Sequence, residues 1–237
     1  IGNLGPRAGP PAAPAGPFLC FSMLAHPLVL AATTLSLRRP SRGTLERYSA
    51  KLDHAARPLN HCFAQTTLET GYDDEAPPGL RAIRYRCSLG SGGACYRKAA
   101  AALLSWQMHA GSTWSGVHCG GGGGVGAQLV TYAALGPAWV INPCRVVHAS
   151  RGRRRSMAAY ATLSGHLLAG TERMSVAWRE DGAVEFEVLS LSRGAGPLGR
   201  LLFTGLARTQ RRFFREQLAC METLVRAQGG STRGVAL

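Results

Sequence analysis

The sequence predicts an α+β fold in which one antiparallel sheet of short strands is covered by a long C-terminal helix. Between residues 143 and 193, three alternating apolar runs are separated by a loop at Gly165–His166 and a turn at Asp181–Gly182. This pattern is typical of consecutive antiparallel strands. Residues 197–227 instead repeat apolar side chains at helical spacing along one broad stripe. Because a sheet must bury its apolar face, this amphipathic helix is its expected cover.

The remaining elements follow from the same patterns. Thr44 begins a short helix, and Gly90–Gly93 precedes an alanine-rich helix with an apolar stripe. Five consecutive glycines, Gly120–Gly124, are followed by a strand pattern, which favours a hairpin loop over a phosphate-binding loop. The predicted helices are 44–56, 94–109 and 197–227, the loop-rich segment is 57–79, and the predicted strands are 80–88, 112–119, 126–133, 138–149, 155–163, 171–179 and 183–192.

The chain has 237 residues, of which 46% are hydrophobic, and this is enough for one substantial core. We assign that core to a single domain at residues 38–227. Residues 1–37 are expected to be a disordered or targeting-like extension, because they begin with Gly, Pro and Ala and continue as an apolar, acid-free stretch. A transmembrane anchor and a gene-model artefact are the alternatives for residues 18–37. Residues 228–237 are expected to be a flexible tail.

The charge balance is strongly basic. Lys and Arg total 27 against 13 Asp and Glu, which gives a net charge of +14. Such an excess suits an anionic partner, or it reflects the arginine-rich composition of a GC-rich genome. No RNA-binding aromatic motif accompanies the charge, so nucleic acid is not an expected partner. An anionic membrane surface is a candidate partner for the polar face of the last helix, and solvation of that face is the simpler reading of Arg208, Arg211, Arg212 and Arg215.

The cysteines and histidines indicate no metal or disulfide chemistry. Seven cysteines without a C-x-x-C spacing, in a chain of this size, argue against a disulfide framework and indicate a reducing compartment. The adjacent pairs His61–Cys62 and His118–Cys119 do not supply four ligands at the spacing of a zinc site. We therefore predict no metal site and no cofactor.

Several short motifs follow one another along the chain: Arg39–Ser41, Gly90–Gly92 with Tyr96, Trp106 and Met108–His109, Pro143–Val147, Tyr160–Gly170 with Glu172, and Asp181–Glu187 with Ser192–Arg193. These motifs, in this order, resemble those of the family catalogued as domain of unknown function nineteen-ninety, a UPF family found in bacteria and the green lineage. The resemblance runs from roughly Leu35 to Val225, and the loop Gly165–Gly170 is most similar to that of plant and algal members.

The family is grouped with the START/Bet v 1-like superfamily. The resemblance therefore implies a helix-grip fold, in which a curved antiparallel sheet wraps a long C-terminal helix with a cavity between them. The element order derived from the residues agrees with it. Relatives in that superfamily bind lipids, hormones or polyketides, which implies a hydrophobic small molecule or lipid as partner. Some green-lineage members are linked to the plastid outer envelope, so we expect an envelope-associated plastid location or otherwise a cytoplasmic one.

One carboxylate is predicted to face the cavity. Glu172 shares its strand parity with Met174 and Trp178, which places its side chain on the core face. A buried carboxylate is costly unless it is paired, and the motifs suggest His166 and Arg145 as partners, with Arg145 turned inward. We assign no catalytic residue, and the candidate ligand-binding residues are His166, Glu172, Arg145, Tyr160, Gly165 and Trp178.

These residues leave three functions open. The leading hypothesis is non-catalytic binding of a hydrophobic or amphipathic, lipid-like molecule in the cavity under the last helix. The second is a plastid outer-envelope-associated membrane or channel protein, and the third is a cyclase-type enzyme that uses His166 and Glu172. Since no nucleophile or second carboxylate accompanies this pair, the sequence favours a binding protein over an enzyme. A buried network that only fixes the loop is the structural alternative.

Overall fold

The structure is a computed structural model that describes residues 34–55, 57–71 and 73–227. Two 3-10 turns, Gln107–His109 and Gly121–Gly123, accompany the regular elements. The strands are β1 (Thr34–Ser36), β2 (Arg81–Ser91), β3 (Ser115–Cys119), β4 (Gln128–Leu135), β5 (Ala138–Arg151), β6 (Arg155–Thr162), β7 (Leu168–Trp178) and β8 (Ala183–Gly194), and the helices are α1 (Arg42–Ala55), α2 (Ala64–Glu69), α3 (Gly92–Leu104) and α4 (Gly196–Ala227).

The eight strands of the described residues belong to one sheet, and every pairing among them is antiparallel. The strands from β3 to β8 form a meander, and β2 joins beside β8, so the spatial order is β2-β8-β7-β6-β5-β4-β3. The short β1 pairs with the beginning of β5, where Leu35 lies opposite Val140. β7 and β8 are joined at the predicted Asp181–Gly182 turn, in which Gly182 has a φ of +87°.

The C-terminal helix α4 packs its apolar stripe against β2, β8 and α3. Phe214 and Met221 are fully buried in the main core, and Val184, Phe186 and Val188 of β8 face the same core. Truncating a buried Met or Phe side chain to Ala costs about 2–5 kcal/mol. The predicted helix-grip architecture, an antiparallel sheet gripping a long C-terminal helix, is therefore confirmed.

Helix α3 ends five residues earlier than the sequence predicts. Trp106 adopts a left-handed backbone with a φ of +58°, which stops the helix and turns the chain into the 3-10 turn Gln107–His109. Its indole Nε1 donates a hydrogen bond to the Gly123 carbonyl, and a Cβ atom at Gly123 would lie 2.6 Å from that nitrogen. The predicted polyglycine hairpin is confirmed as the connection between β3 and β4, and at Gly123 the glycine is needed for close packing.

The outer face of the sheet carries α1 and α2. The sequence predicts a loop over 57–79, but Ala64–Glu69 form α2, a helix of only six residues. Arg173, 3% exposed, holds the end of α2 by donating hydrogen bonds to the carbonyl oxygens of Thr67, Leu68 and Thr70. The same guanidinium pairs with Glu187 at 2.7 Å, which agrees with the predicted outward orientation of that acid.

Most of the predicted extension at residues 1–37, and the predicted tail at 228–237, lie outside the described residues. The last part of that extension, Thr34–Ser36, forms β1 and so belongs to the sheet. Among the described residues, no helix combines the length and the apolar character that a membrane span requires.

Candidate functional site

A cavity of about 110 Å³ lies between the first half of α4 and the sheet formed by β4 to β7. Its walls are mainly apolar, and Val140, Leu167, Leu168 and Leu206 form a small hydrophobic cluster of their own at this end of the fold. The polar or ionisable side chains that line the cavity are those of Thr131, Tyr132, Asn142, Tyr160, His166, Glu172, Thr209, Gln210 and Trp114.

The carboxyl group of Glu172 is 5% exposed and is held by two side chains. Tyr160 Oη donates to Glu172 Oε2 at 2.5 Å, and Gln217 Nε2 of α4 donates to Glu172 Oε1 at 2.7 Å. Tyr160 and Glu172 lie directly opposite each other on the paired strands β6 and β7, so the sheet register itself brings them together. α4 supplies the third member across the interior.

Burial raises the pKa of Glu172 to about 7, and the hydrogen bonds from Tyr160 and Gln217 offset part of that effect. The pKa of Tyr160 is also raised, by burial first and then by the charge of Glu172. Near neutral pH, Glu172 is therefore the member of this cluster that gains or loses a proton, while Tyr160 keeps its own. A carboxyl group that is partly protonated at this pH can both donate and accept a hydrogen bond.

His166 lines the cavity as a neutral imidazole. Burial, followed by the nearby His61, lowers its pKa to about 3. Its Nδ1 accepts a hydrogen bond of 2.8 Å from the backbone N–H of Leu168, so its proton resides on Nε2. This tautomer makes His166 a hydrogen-bond donor at the loop between β6 and β7.

The predicted partnership of Glu172 with His166 and Arg145 is wrong. The partners of Glu172 are Tyr160 and Gln217. Arg145 lies on the outer face of β5, where its Nη2 donates to the carbonyl oxygen of Arg57 at 2.9 Å. The physical reason is strand alternation: the neighbouring Cys144 is buried in the main core, so the adjacent side chain points outward.

The other predicted site residues fall in different places. Tyr160 lines the cavity. Gly165 has a φ of +100° and serves the turn before β7, a conformation that favours glycine. Trp178 lies at the far end of β7 from Glu172, roughly 20 Å away at strand spacing, and it packs on Tyr96 beneath the guanidinium of Arg154. The structure thus brings Tyr160, His166 and Glu172 to one cavity, while their role in ligand binding stays a prediction.

Among the site residues that the sequence did not predict, two bear most directly on its hydrogen bonding. Gln217 is a polar residue in the apolar stripe of α4, three positions after Phe214 and four before Met221, and that interruption was an available signal. Asn142 lines the cavity, and its Oδ1 is buried without a hydrogen-bond partner. Its position in an otherwise strand-like run gave no comparable signal. An unpartnered buried amide oxygen costs about 1–3 kcal/mol, so Asn142 favours an occupant that donates a hydrogen bond.

Across residues 34–227, with positions 56 and 72 left aside, no group of three or more His, Cys, Asp and Glu side chains is arranged to hold a metal ion. The free cysteines in the same region include Cys144, which is buried beside Glu172, and Cys62, which is exposed.

Two curated proteins are similar to this chain. A UPF0548 protein of Deinococcus radiodurans is 31% identical over 180 residues, which cover 70% of this chain and 88% of the relative. A UPF0548 protein of Arabidopsis thaliana is 32% identical over 136 residues, which cover 55% of this chain and 66% of the relative. The chain thus spans just under two thirds of the Arabidopsis protein.

Solved structures with a similar fold share little sequence with this chain. The Zhui aromatase/cyclase from Streptomyces sp. R1128 has a TM-score of 0.48 at 11% identity, covering 66% of this chain and 99% of that one. A norcoclaurine synthase point mutant from Thalictrum flavum has a TM-score of 0.47 at 11% identity, covering 64% of this chain and 97% of that one. Likenesses of this strength carry no argument about the site.

The family model described as Domain of unknown function (DUF1990) matches residues 64–220, which include the Tyr160–Glu172–Gln217 cluster and the whole loop before β7. The match begins after the predicted motif Arg39–Ser41 and takes in the other motifs on which the resemblance was based. The chain therefore belongs to the DUF1990 family.

Proposed function

We propose that this protein binds a small, neutral and mostly apolar molecule in the cavity under α4, and that it performs no reaction on it. The observation that carries the proposal is an apolar cavity with an unpartnered buried acceptor, Asn142 Oδ1, on its wall. His166 offers a donor at the same cavity, and Glu172 offers a group that can donate or accept. Few, fixed polar groups in an apolar pocket are typical of small-molecule sites.

The cavity volume limits the ligand. Sites for drug-sized ligands measure about 300–1,000 Å³, whereas an apolar cavity of about 150 Å³ accepts a molecule as small as benzene. The cavity measures about 110 Å³ and is partly open to solvent, so it suits a ligand no larger than one six-membered ring with a small substituent that extends toward the opening. A long-chain lipid exceeds this volume, so α4 would have to move away from β4 and β5 to enclose the lipid-like ligand that the sequence predicts.

A methyl NMR titration of the full chain tests the proposal with cyclohexanol as probe and methylcyclohexane as its hydrocarbon control. The Leu206 methyl signals report on the cavity. Cyclohexanol can donate to Asn142 Oδ1, so Asn142→Leu is expected to weaken cyclohexanol binding about fivefold, the loss of one hydrogen bond, and to leave methylcyclohexane unaffected. Absence of a saturable Leu206 shift with either probe would count against a binding cavity.

The exposed face of α4 favours a second candidate function, peripheral association with an anionic membrane surface. Four arginines are exposed on this face: Arg208, Arg211, Arg212 and Arg215. Near the beginning of the same helix, Leu198 and Leu201 are 53% and 80% exposed, so apolar surface lies on the helix together with this charge. Exposed leucines beside arginines are the chemistry of helices that lie in a lipid headgroup layer.

Co-sedimentation with phosphatidylserine-containing and pure phosphatidylcholine vesicles tests this second candidate. Each arginine near an anionic surface contributes about 1 kcal/mol, so replacing Arg208 and Arg211 by Ala is expected to weaken binding to the anionic vesicles roughly thirtyfold. Replacing the exposed Arg151 and Arg153 of the β5–β6 hairpin by Ala removes the same charge from another surface and serves as control. Equal losses in both variants would show that net charge alone, and not the α4 face, attracts the vesicles.

A further inference from the structure

A second recess lies on the other side of Phe213, between the 3-10 turn Gln107–His109 and the second half of α4. Its volume is about 460 Å³, and it is separate from the cavity that contains Glu172, although Phe213 lines both. We call it the His109 recess. Its lining includes Met108, His109, Ser112, Ser115, Glu216, Gln217, Ala219 and Cys220.

Two buried side chains of this recess have hydrogen-bonding atoms without partners. His109 is 8% exposed, and neither ring nitrogen has a partner. Gln217 is 2% exposed, and its Oε1 is unpartnered while its Nε2 is bonded to Glu172. Leaving such a group unsatisfied costs about 1–3 kcal/mol, and native proteins seldom retain several at one place without an occupant.

The surrounding structure fixes the His109 ring. The left-handed backbone of Trp106, which costs roughly 1–2 kcal/mol for a residue with a Cβ, turns the chain so that His109 enters the interior. The ring lies nearly parallel to those of Phe213, with centroids 5.3 Å apart, and Trp106, with centroids 6.3 Å apart. These aromatic contacts orient the imidazole, and neither of its nitrogens is used in a hydrogen bond within the described part of the chain.

The protonation of His109 defines what the recess can accept. Burial lowers the pKa of His109 to about 3, so at neutral pH the ring has one N–H donor and one acceptor nitrogen. Gln217 Oε1 adds an acceptor, and the carboxylate of Glu216 borders the recess. A bound anion would be repelled by this carboxylate, and the neutral imidazole would not offset that repulsion. The chemistry therefore favours a neutral ligand with a group that both donates and accepts.

We propose that the His109 recess is a second binding site, which takes a neutral molecule with a hydroxyl or amide group on an apolar body. The hydroxyl or amide lies between His109 and Gln217 Oε1, and the body packs on Met108 and Phe213. This site does not depend on an occupant in the Glu172 cavity.

The recess is coupled to the Glu172 cavity through one amide group. Gln217 accepts from the ligand at Oε1 and donates to Glu172 at Nε2, 2.7 Å away. Hydrogen bonds in such a chain polarise one another, so a donor at Oε1 strengthens the bond to Glu172. Occupation of the recess therefore favours the ionised form of Glu172.

Phenol titrated into methionine-methyl-labelled full chain tests the proposal, with toluene as a probe of the same shape but without the hydroxyl. The Met108 methyl signal reports on the recess. Two hydrogen bonds of about 1 kcal/mol each predict that phenol binds at least tenfold more tightly than toluene. Equal affinities for the two probes, or no saturable Met108 shift, would overturn the proposal.

Four variants locate the binding. Ala219→Phe fills the recess from an exposed helical position and is expected to abolish the Met108 response, whereas Thr204→Phe, an exposed site on the same helix away from both recesses, leaves it intact. Thr209→Phe fills the Glu172 cavity instead and also leaves the response intact, which separates this site from the proposed function.

His109→Phe keeps an aromatic ring beside Phe213 and Trp106 and is expected to remove the preference for phenol over toluene. A phenol response that survives Ala219→Phe, or a phenol-soaked crystal with water alone in the recess, contradicts the proposal.

Discussion

The buried Glu172 predicts an unusual dependence of stability on pH. Its pKa is about 7 in the folded protein and 4.5 in an unfolded chain. Between these values the native state holds a proton that the unfolded state releases. The stabilising contribution of Glu172 is therefore fully present below pH 4.5, and it is lost as pH rises through about 7.

The size of this stability loss follows from the difference between the two pKa values of Glu172. Each pH unit over which one proton is bound in the native state alone changes the free energy of unfolding by about 1.4 kcal/mol. An interval from 4.5 to about 7 gives a loss of roughly 3 kcal/mol. This is a large share of the total stability of a typical domain, which is about 5–15 kcal/mol.

The perturbation that isolates this effect is Glu172→Gln, which has nearly the same shape and does not titrate. His61, His109 and His166 have lowered pKa values, mainly because of burial, and they act in the opposite direction by stabilising the protein as pH rises toward 6.5. These histidines are present in both proteins, so their effect cancels when the variant is subtracted from the wild type.

Urea unfolding of both proteins at intervals from pH 4.5 to 8.5 measures the difference. The wild type is expected to lose about 3 kcal/mol relative to Glu172→Gln across this range, with most of the change complete by pH 7.5. A difference that stays constant with pH would show that Glu172 does not hold an extra proton in the native state over this range. A wild type that gains stability relative to the variant would show that Glu172 is an ionised, well-paired carboxylate in the fold.

Three further outcomes are expected. Arg173→Met removes the buried partner of Glu187 and should cost about 3 kcal/mol in urea unfolding, whereas an exposed arginine such as Arg153 should tolerate the same change within about 0.5 kcal/mol. Gly170→Ala places a Cβ 2.7 Å from a carbonyl oxygen of β8 and should cost about 2 kcal/mol, measured in the same way. Iodoacetamide at pH 8 should label the exposed Cys62 in the native protein but reach Cys144, whose thiol pKa burial raises, only after unfolding; native labelling of Cys144 would contradict its burial.

Sequence patterns predicted the elements whose signals are long or chemically specific. α4 has an extended apolar stripe, and the Asp181–Gly182 turn has a characteristic sequence, so both were placed correctly. α2 was missed because six residues contain too little periodicity to distinguish a helix from a loop. It is held in part by Arg173, more than a hundred positions away in the chain, and local sequence cannot reveal such a contact.

The site shows the same division. Strand parity correctly predicted that Glu172 faces inward, because the alternation of side chains is a property of each strand alone. Its partners were wrongly assigned, since the neighbour across the sheet depends on register and the neighbour above depends on how α4 is rotated. Tyr160 and Gln217 meet Glu172 only once both are fixed. The volume of the cavity depends on the packing of side chains from five elements, which no local pattern encodes.

Native mass spectrometry of the gently purified full chain tests most directly whether the space under α4 holds a small molecule. The measurement is made on Ala219→Phe, in which the His109 recess is filled, so that only the Glu172 cavity can hold a ligand. A small bound mass is expected in Ala219→Phe and after addition of Thr204→Phe to it, and its loss is expected after addition of Thr209→Phe instead, whose new side chain would occupy the cavity. The bare chain mass in all three proteins, or a bound mass that persists after addition of Thr209→Phe, would contradict a ligand site under α4.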